Sequence, residues 1–294
     1  MRTRTWLVVG LTCALAAPGL AQGPAAPAPA PAPAATAPKA APKKAAKKDP
    51  KKDAKVDLAP VVAQLTGGNL EIAVKAAEQL GQSTDPAAHE ALLDALAYGM
   101  SSTVAIASIT ALSLHPAPPD VTALSRYASH HNPSVRSAAF GALALYPDPA
   151  AQKMIVAGLH DLTGSVRASA AAAAAKGRVR IAIDPLFELL ARGEEPAAKA
   201  LAAMADADLA RKIGDQLGKV PDAILAQTLG LVLKRADFAS DPARVELVRA
   251  IGKIQGPEAI SALTDYLDST PKTPPRQSRT EAQKMVEARL GGSK

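Results

Sequence analysis

The stretch ALSLHPAP beginning at Ala111 returns as ALALYPDP beginning at Ala142, 31 residues later. Recurrence at roughly 20 to 50 residues belongs to stacked-repeat architectures, in which each period is one supersecondary unit, so it limits the possible folds more than composition does. The pair extends upstream: TVAIASITALSLHPAP from Thr103 lines up with SVRSAAFGALALYPDP from Ser134, and SVRASAAAAAAKG from Ser165 keeps the 31-residue step. One more step reaches PAAKALAAMAD from Pro196, and one backward step, stretched to 32 residues, reaches EIAVKAAEQLGQSTDP from Glu71. Five units are visible.

Within a unit the apolar residues fall at helical spacing; Val135, Ala138, Ala139, Ala142, Leu143 and Leu145 line one face. A second helical run precedes each of these segments: AHEALLDALAYG from Ala88, DVTALSRYASHH from Asp120, AAQKMIVAGLHD from Ala150 and DPLFELLARG from Asp184. Pro86, Pro133, Pro149, Pro185 and Pro196 sit at or near first turns, where a missing N–H costs nothing. Strand signals are nearly absent. A single hairpin cannot bury its apolar face, so the expected fold is all-α: an α-solenoid of stacked antiparallel helix hairpins with a repeat of about 31 residues.

NPSVRSAAFGALALY and TGSVRASAAAAAAKG resemble the second helix of a HEAT repeat, whose usual form is Pro-x-Val-Arg followed by alanines and a terminal Ala-Leu. VELVRAIGKIQGPEAISALTDYLD from Val245 is similar to the junction between one HEAT repeat and the next, in the short variant also found in phycobilisome-lyase-type proteins. The resemblance extends over residues 58–290 and implies protein binding in general, with no partner specified. It also implies that Arg136 and Arg167, at the same place in consecutive repeats, belong to a ladder in which such arginines pair with an acidic residue at the turn; Asp161 is placed for this. The alternation slips between residues 205 and 240, where DADLARKIGDQLGKV and PDAILAQTLGLVLKR are both good helices but take opposite roles when counted from either side. A missing or irregular helix there would bend the solenoid or begin a separate stack. The loop STPKTPPRQSR from Ser269 interrupts the last pair before a closing helix near residues 280–290, a cap.

Upstream of the repeats, residues 1–21 read as a secretory signal peptide: Arg2 and Arg4, an apolar stretch from Thr5 to Ala17, then Pro18-Gly19-Leu20-Ala21, with cleavage expected after Ala21. The apolar run is shorter than the roughly 20 residues a spanning helix needs, so no transmembrane helix is expected in the mature form. The residues before Cys13, Gly10-Leu11-Thr12, match a lipoprotein signal poorly. Cleavage removes the single cysteine and with it thiol and Cys-zinc chemistry. Residues 22–57 are low in complexity, Ala/Pro-rich and then Lys-rich, and are expected to form a disordered tether. Eight lysines there (Lys39, Lys43, Lys44, Lys47, Lys48, Lys51, Lys52 and Lys55) against three aspartates account for most of the formal charge of +7. From Leu58 onward 24 basic residues face 24 acidic ones. The tether lysines suit anionic envelope polymers or lipid headgroups as well as plain solubility. Nucleic acid is not the expected partner of an exported protein.

Candidate chemistry is thin. His130, His131, His160 and Asp161 fall at the same inter-helix turn of adjacent repeats, where they read either as a metal site or as histidines satisfying the end of the first helix. Lys176, Arg178 and Arg180 form a basic turn, with Arg167 potentially close; these and Arg136 are the candidate partner contacts. Glu194 and Glu195 sit in a first helical turn, favoured by the macrodipole. The sequence has no Gly-rich phosphate loop, Gly-x-Ser-x-Gly elbow or His-Glu-x-x-His motif. No catalytic residue, cofactor or metal is assigned. The expected function is a non-enzymatic interaction scaffold in a bacterial-type cell envelope, periplasmic or secreted, binding a protein partner on the solenoid surface. Attachment through the tether is the alternative. The phycobilin-lyase relatives imply a third possibility, a lyase or isomerase, to which no bilin-binding residue can be assigned.

Overall fold

A computed structural model describes residues 57–291. The expected signal peptide and all but the last residue of the expected tether lie outside the described residues. Fifteen α-helices are present among them, and they pair as hairpins. The pairs are α1 (Ala59–Leu65) with α2 (Leu70–Gln82), α3 (Pro86–Tyr98) with α4 (Ser102–Leu112), α5 (Asp120–Tyr127) with α6 (Pro133–Leu143), and α7 (Pro149–Gly158) with α8 (Gly164–Lys176). They continue as α9 (Ile183–Ala191) with α10 (Glu195–Met204), α11 (Ala207–Gly214) with α12 (Asp222–Lys234), and α13 (Asp241–Lys253) with α14 (Pro257–Ser269), before α15 (Gln277–Gly291) closes the chain.

Local sequence starts these helices by one recurring device, an Asx residue followed by proline. The side chains of Asp85, Asn132 and Asp148 accept first-turn N–H groups, while Pro86, Pro133 and Pro149 occupy the first helical position. Each such cap stabilises its helix by about 1 kcal/mol. Asn69 caps α2 in the same way, accepting from the backbone of Glu71 and Ile72.

The even-numbered helices form one layer in which each lies against the next, from α2 to α14. Alanines make this possible: Ala73, Ala76 and Ala77 on α2, Ala105 and Ala111 on α4, and Ala170, Ala171 and Ala174 on α8 are buried. Gly81 lies so close to α4 that a Cβ would stand 2.6 Å from the Ala111 Cβ and 2.8 Å from its Cα. Leu92, Leu96, Leu124, Ile155, Leu186 and Leu189 from the odd-numbered helices fill the space between the layers.

The slip expected between residues 205 and 240 resolves without a missing helix. Both segments are helical, α11 falls in the odd layer beside α13, and α12 falls in the even layer between α10 and α14. Counting from the N-terminal side therefore assigns their roles correctly. Counting from the other side fails because α13, whose sequence resembles a second HEAT helix, occupies the first-helix layer between α11 and α15. Arg244 explains how the motif fits there. Its guanidinium donates to the carbonyl oxygens of Leu233, Arg235 and Phe238 at 2.7, 2.8 and 2.7 Å, closing the C-terminal end of the preceding helix. Arg136 likewise holds the turn that precedes its own helix, so the motif performs a local task that either layer can host.

Candidate functional site

The ladder arginines stand at the turns that join the two helices of a hairpin. Arg136, in the first turn of α6, holds both carboxylate oxygens of Asp161 from the following hairpin, with Nε and Nη2 each at 2.8 Å. Its Nη1 donates to the carbonyls of His130 and His131 at 2.9 and 3.1 Å, fastening the turn that follows α5. Arg167 repeats the arrangement one unit on: Nη1 reaches the Asp161 carbonyl at 2.9 Å and Nε the Glu194 carboxylate at 3.0 Å. Both pairs are mostly shielded from solvent, with side-chain exposures of 15 to 21%. The hydrogen bonds from Arg136 hold the Asp161 carboxyl below the usual carboxylate range, and the carboxylate in turn raises Arg136.

Two readings of these turns are corrected. His130 does not donate to the end of the first helix: its Nδ1 accepts the Asn132 N–H at 3.1 Å, and its ring stacks on Tyr127 and lies tilted against His131. Burial, followed by the neighbouring His131, lowers the His130 pKa. With Asp161 committed to Arg136, the histidine group lacks its acidic ligand, and no three His, Cys, Asp or Glu side chains converge as a metal site among the described residues. Glu194, read from sequence as a first-turn acid, is instead the last rung of the ladder; Glu195 pairs with Lys199 at 2.8 Å.

The basic turn is exposed. Arg178 adopts a left-handed backbone with φ of 49°, and Arg180 pairs with Asp206 at 2.7 Å. Asp206 is lowered by the Leu209 N–H that it accepts and then by Arg180. Arg167 does not join this turn; it lies near the other end of α8 from Lys176, nine residues away, or roughly 13 Å along the helix.

A second network went unrecognised in the sequence. Asp120, with no solvent exposure, accepts from His89 Nε2 at 2.6 Å, from the Tyr146 hydroxyl at 2.5 Å and from the Ala117 N–H at 2.9 Å. It ties α3 to α5 and to the connector that follows α6. Burial and the adjacent carboxylate push the Tyr146 hydroxyl pKa up. The signal was the period itself, since His89 and Asp120 are 31 residues apart, as are Leu96 and Tyr127, whose hydroxyl donates to the Leu96 carbonyl at 2.8 Å. Among the described residues every buried side-chain nitrogen or oxygen has a partner.

With the charges engaged in this way, large apolar side chains remain in solvent at the hairpin turns. Tyr98, at the end of α3, is 91% exposed, Leu162, in the α7–α8 turn, is 99% exposed, and Leu70, at the start of α2, is 52% exposed. Two cavities open along the same turns. One of about 440 Å³ is lined by Leu65, Leu70, Tyr98 and Met100, and one of about 460 Å³ by His130, His131, Arg136, Met154 and Leu162. No described helix is long and apolar enough to cross a membrane.

No curated protein matches the sequence. Among solved structures, the complex of CpcE and CpcF of phycocyanin lyase from Nostoc sp. PCC7120 is similar at 16% identity, covering 84% of this chain and 99% of that chain with a TM-score of 0.45. Kap121p is similar at 14% identity over 79% of this chain and 29% of its own length, with a TM-score of 0.45. An engineered protein follows at 19% identity, 79% and 98% coverage and a TM-score of 0.35. The family models carry the assignment: residues 90–176 match HEAT repeats, and residues 72–98 and 243–269 match the PBS lyase HEAT-like repeat. The chain is thus a HEAT-repeat protein, with repeats of that family from residue 72 to 176 and again from 243 to 269.

Proposed function

We propose that this chain is a non-enzymatic scaffold that binds a protein partner on its solenoid surface, exported to a bacterial-type cell envelope after cleavage near Ala21. The observation that carries the reading is the division of labour among side chains. Arg136, Arg167 and Asp120 hold hairpin to hairpin, whereas Tyr98 and Leu162 stand in solvent at the hairpin turns. Each lines a cavity at its turn and so offers a partner apolar surface beside a hollow. Lys176 and Arg178, outside the ladder, supply charge for such a contact. The Lys-rich segment supports a second role, attachment to anionic polymer or lipid headgroups.

Crosslinking in intact cells, followed by pull-down with residues 58–294 alone, tests the proposal. Retention of the crosslinked partner by the solenoid supports the scaffold; association that disappears entirely with residues 22–57 overturns it in favour of the tether.

A further inference from the structure

We infer that the edge formed by the α1–α2 and α3–α4 turns docks a basic polypeptide segment carrying one large apolar anchor residue. The inference rests on the scaffold reading and specifies its partner chemistry. The cavity of about 440 Å³ between these turns has a floor of Leu65, Ala95 and Val104 and a rim of Leu70, Tyr98 and Met100. The floor residues Leu65, Ala95 and Val104 are buried at 2, 4 and 3% exposure, while the rim residues Tyr98 and Leu70 stand 91 and 52% exposed. An apolar side chain entering the cavity would meet the rim and cover the Tyr98 ring, which is otherwise exposed among the described residues.

Charge identifies the flanks of that segment. Although the repeat region is neutral as a whole, residues 58–126 contain two basic residues, Lys75 and Arg126, and six acidic ones; Arg126 donates to the Ala97 carbonyl at 3.2 Å. Asp85 caps α3 and Asp120 is buried. Glu71, Glu78, Glu90 and Asp94 are exposed, and none makes an ion pair among the described residues. Glu90, Asp94 and Tyr98 follow one another at four-residue steps along α3, so they form one stripe that ends at the cavity rim. Glu71 follows Leu70 in the first turn of α2. An apolar hollow in a stretch with four more acidic than basic residues complements a cationic chain with a hydrophobic anchor, and disfavours an acidic one.

The test is fluorescence anisotropy of the full chain with a labelled 12-residue peptide holding one tryptophan between lysines. The peptide is expected to bind, its Lys→Glu counterpart to fail, and its Trp→Ala counterpart to bind at least about fivefold more weakly. Tyr98→Ala should weaken binding about tenfold, and Glu90→Lys with Asp94→Lys should remove it, while Glu287→Lys on α15 leaves it unchanged. Tyr98, Glu90 and Asp94 are exposed, so circular dichroism and the unfolding midpoint should stay as in the parent chain. No binding, equal binding of the acidic peptide, or full affinity in the Tyr98 and double variants overturns the inference. If the probe fails while cellular crosslinking still captures a partner on the solenoid, only this assignment falls; if both fail, the scaffold falls with it.

Discussion

At Arg136 a single guanidinium serves two hairpins, because its planar fork faces the Asp161 carboxylate while its remaining amine holds the turn between α5 and α6. Lysine cannot reproduce that geometry. Arg136→Ala should destabilise the chain by about 2 kcal/mol, since it leaves a shielded carboxylate and two carbonyls without their donor; denaturant unfolding measures this. The effect has a defined pH dependence. Asp161 has a folded-state pKa below its unfolded value of about 3.9, so its contribution is complete above that pH and disappears as pH falls through the folded value. The difference between parent and Arg136→Ala should therefore be level from pH 7 to about 5 and shrink below about 4. At Asp120 the expected loss is smaller for a single partner: Tyr146→Phe keeps the ring packing and removes one of three donors, costing about 1 kcal/mol in the same assay.

Between helices, the even layer depends on how closely backbones approach. In an exposed helix, replacing glycine by alanine stabilises by up to about 1 kcal/mol. Gly81→Ala should reverse that sign and lower stability by about 2 kcal/mol, because the new Cβ meets the Cα of Ala111 at 2.8 Å and α2 must move from α4. Gly252→Ala is the control. Its Cβ would meet the Met285 sulfur at 2.5 Å, the far end of a flexible side chain that can turn aside, so thermal unfolding should show little change or a gain. The placement of α13 belongs to this scale too. Its Arg244 tie to α12 is written into the sequence, but the layer it joins follows from the neighbours α11 and α15.

Across the whole repeat unit, each hairpin touches chiefly its neighbours, so stability should rise from the ends towards the middle. At the C-terminal end α15 closes the stack: Arg279 donates to the carbonyls of Leu267 and Thr270, and Arg289 to those of Gly252 and Ile254. Hydrogen exchange should find the strongest protection in α6 and α8 and the weakest in the seven-residue α1. Deleting residues 277–294 should raise exchange first in α13 and α14, leaving α4 and α6 unchanged. Uniform exchange along the chain would contradict a neighbour-by-neighbour stack.

The hairpins, their period and many of their helix starts were legible in the residues, because they depend on interactions spanning a few positions: apolar spacing within one helix and prolines at first turns. The rung from Arg136 to Asp161 was expected from the HEAT resemblance, and a fixed period places the two turns side by side. Tertiary structure decided what periodicity leaves open. It placed α13 in the odd layer, gave Glu194 to Arg167, gathered His89 and Tyr146 onto the buried Asp120 carboxylate, and left Tyr98 and Leu162 exposed. Helical spacing specifies that a face is apolar; which neighbour covers that face, or whether any does, is settled only when the hairpins stack.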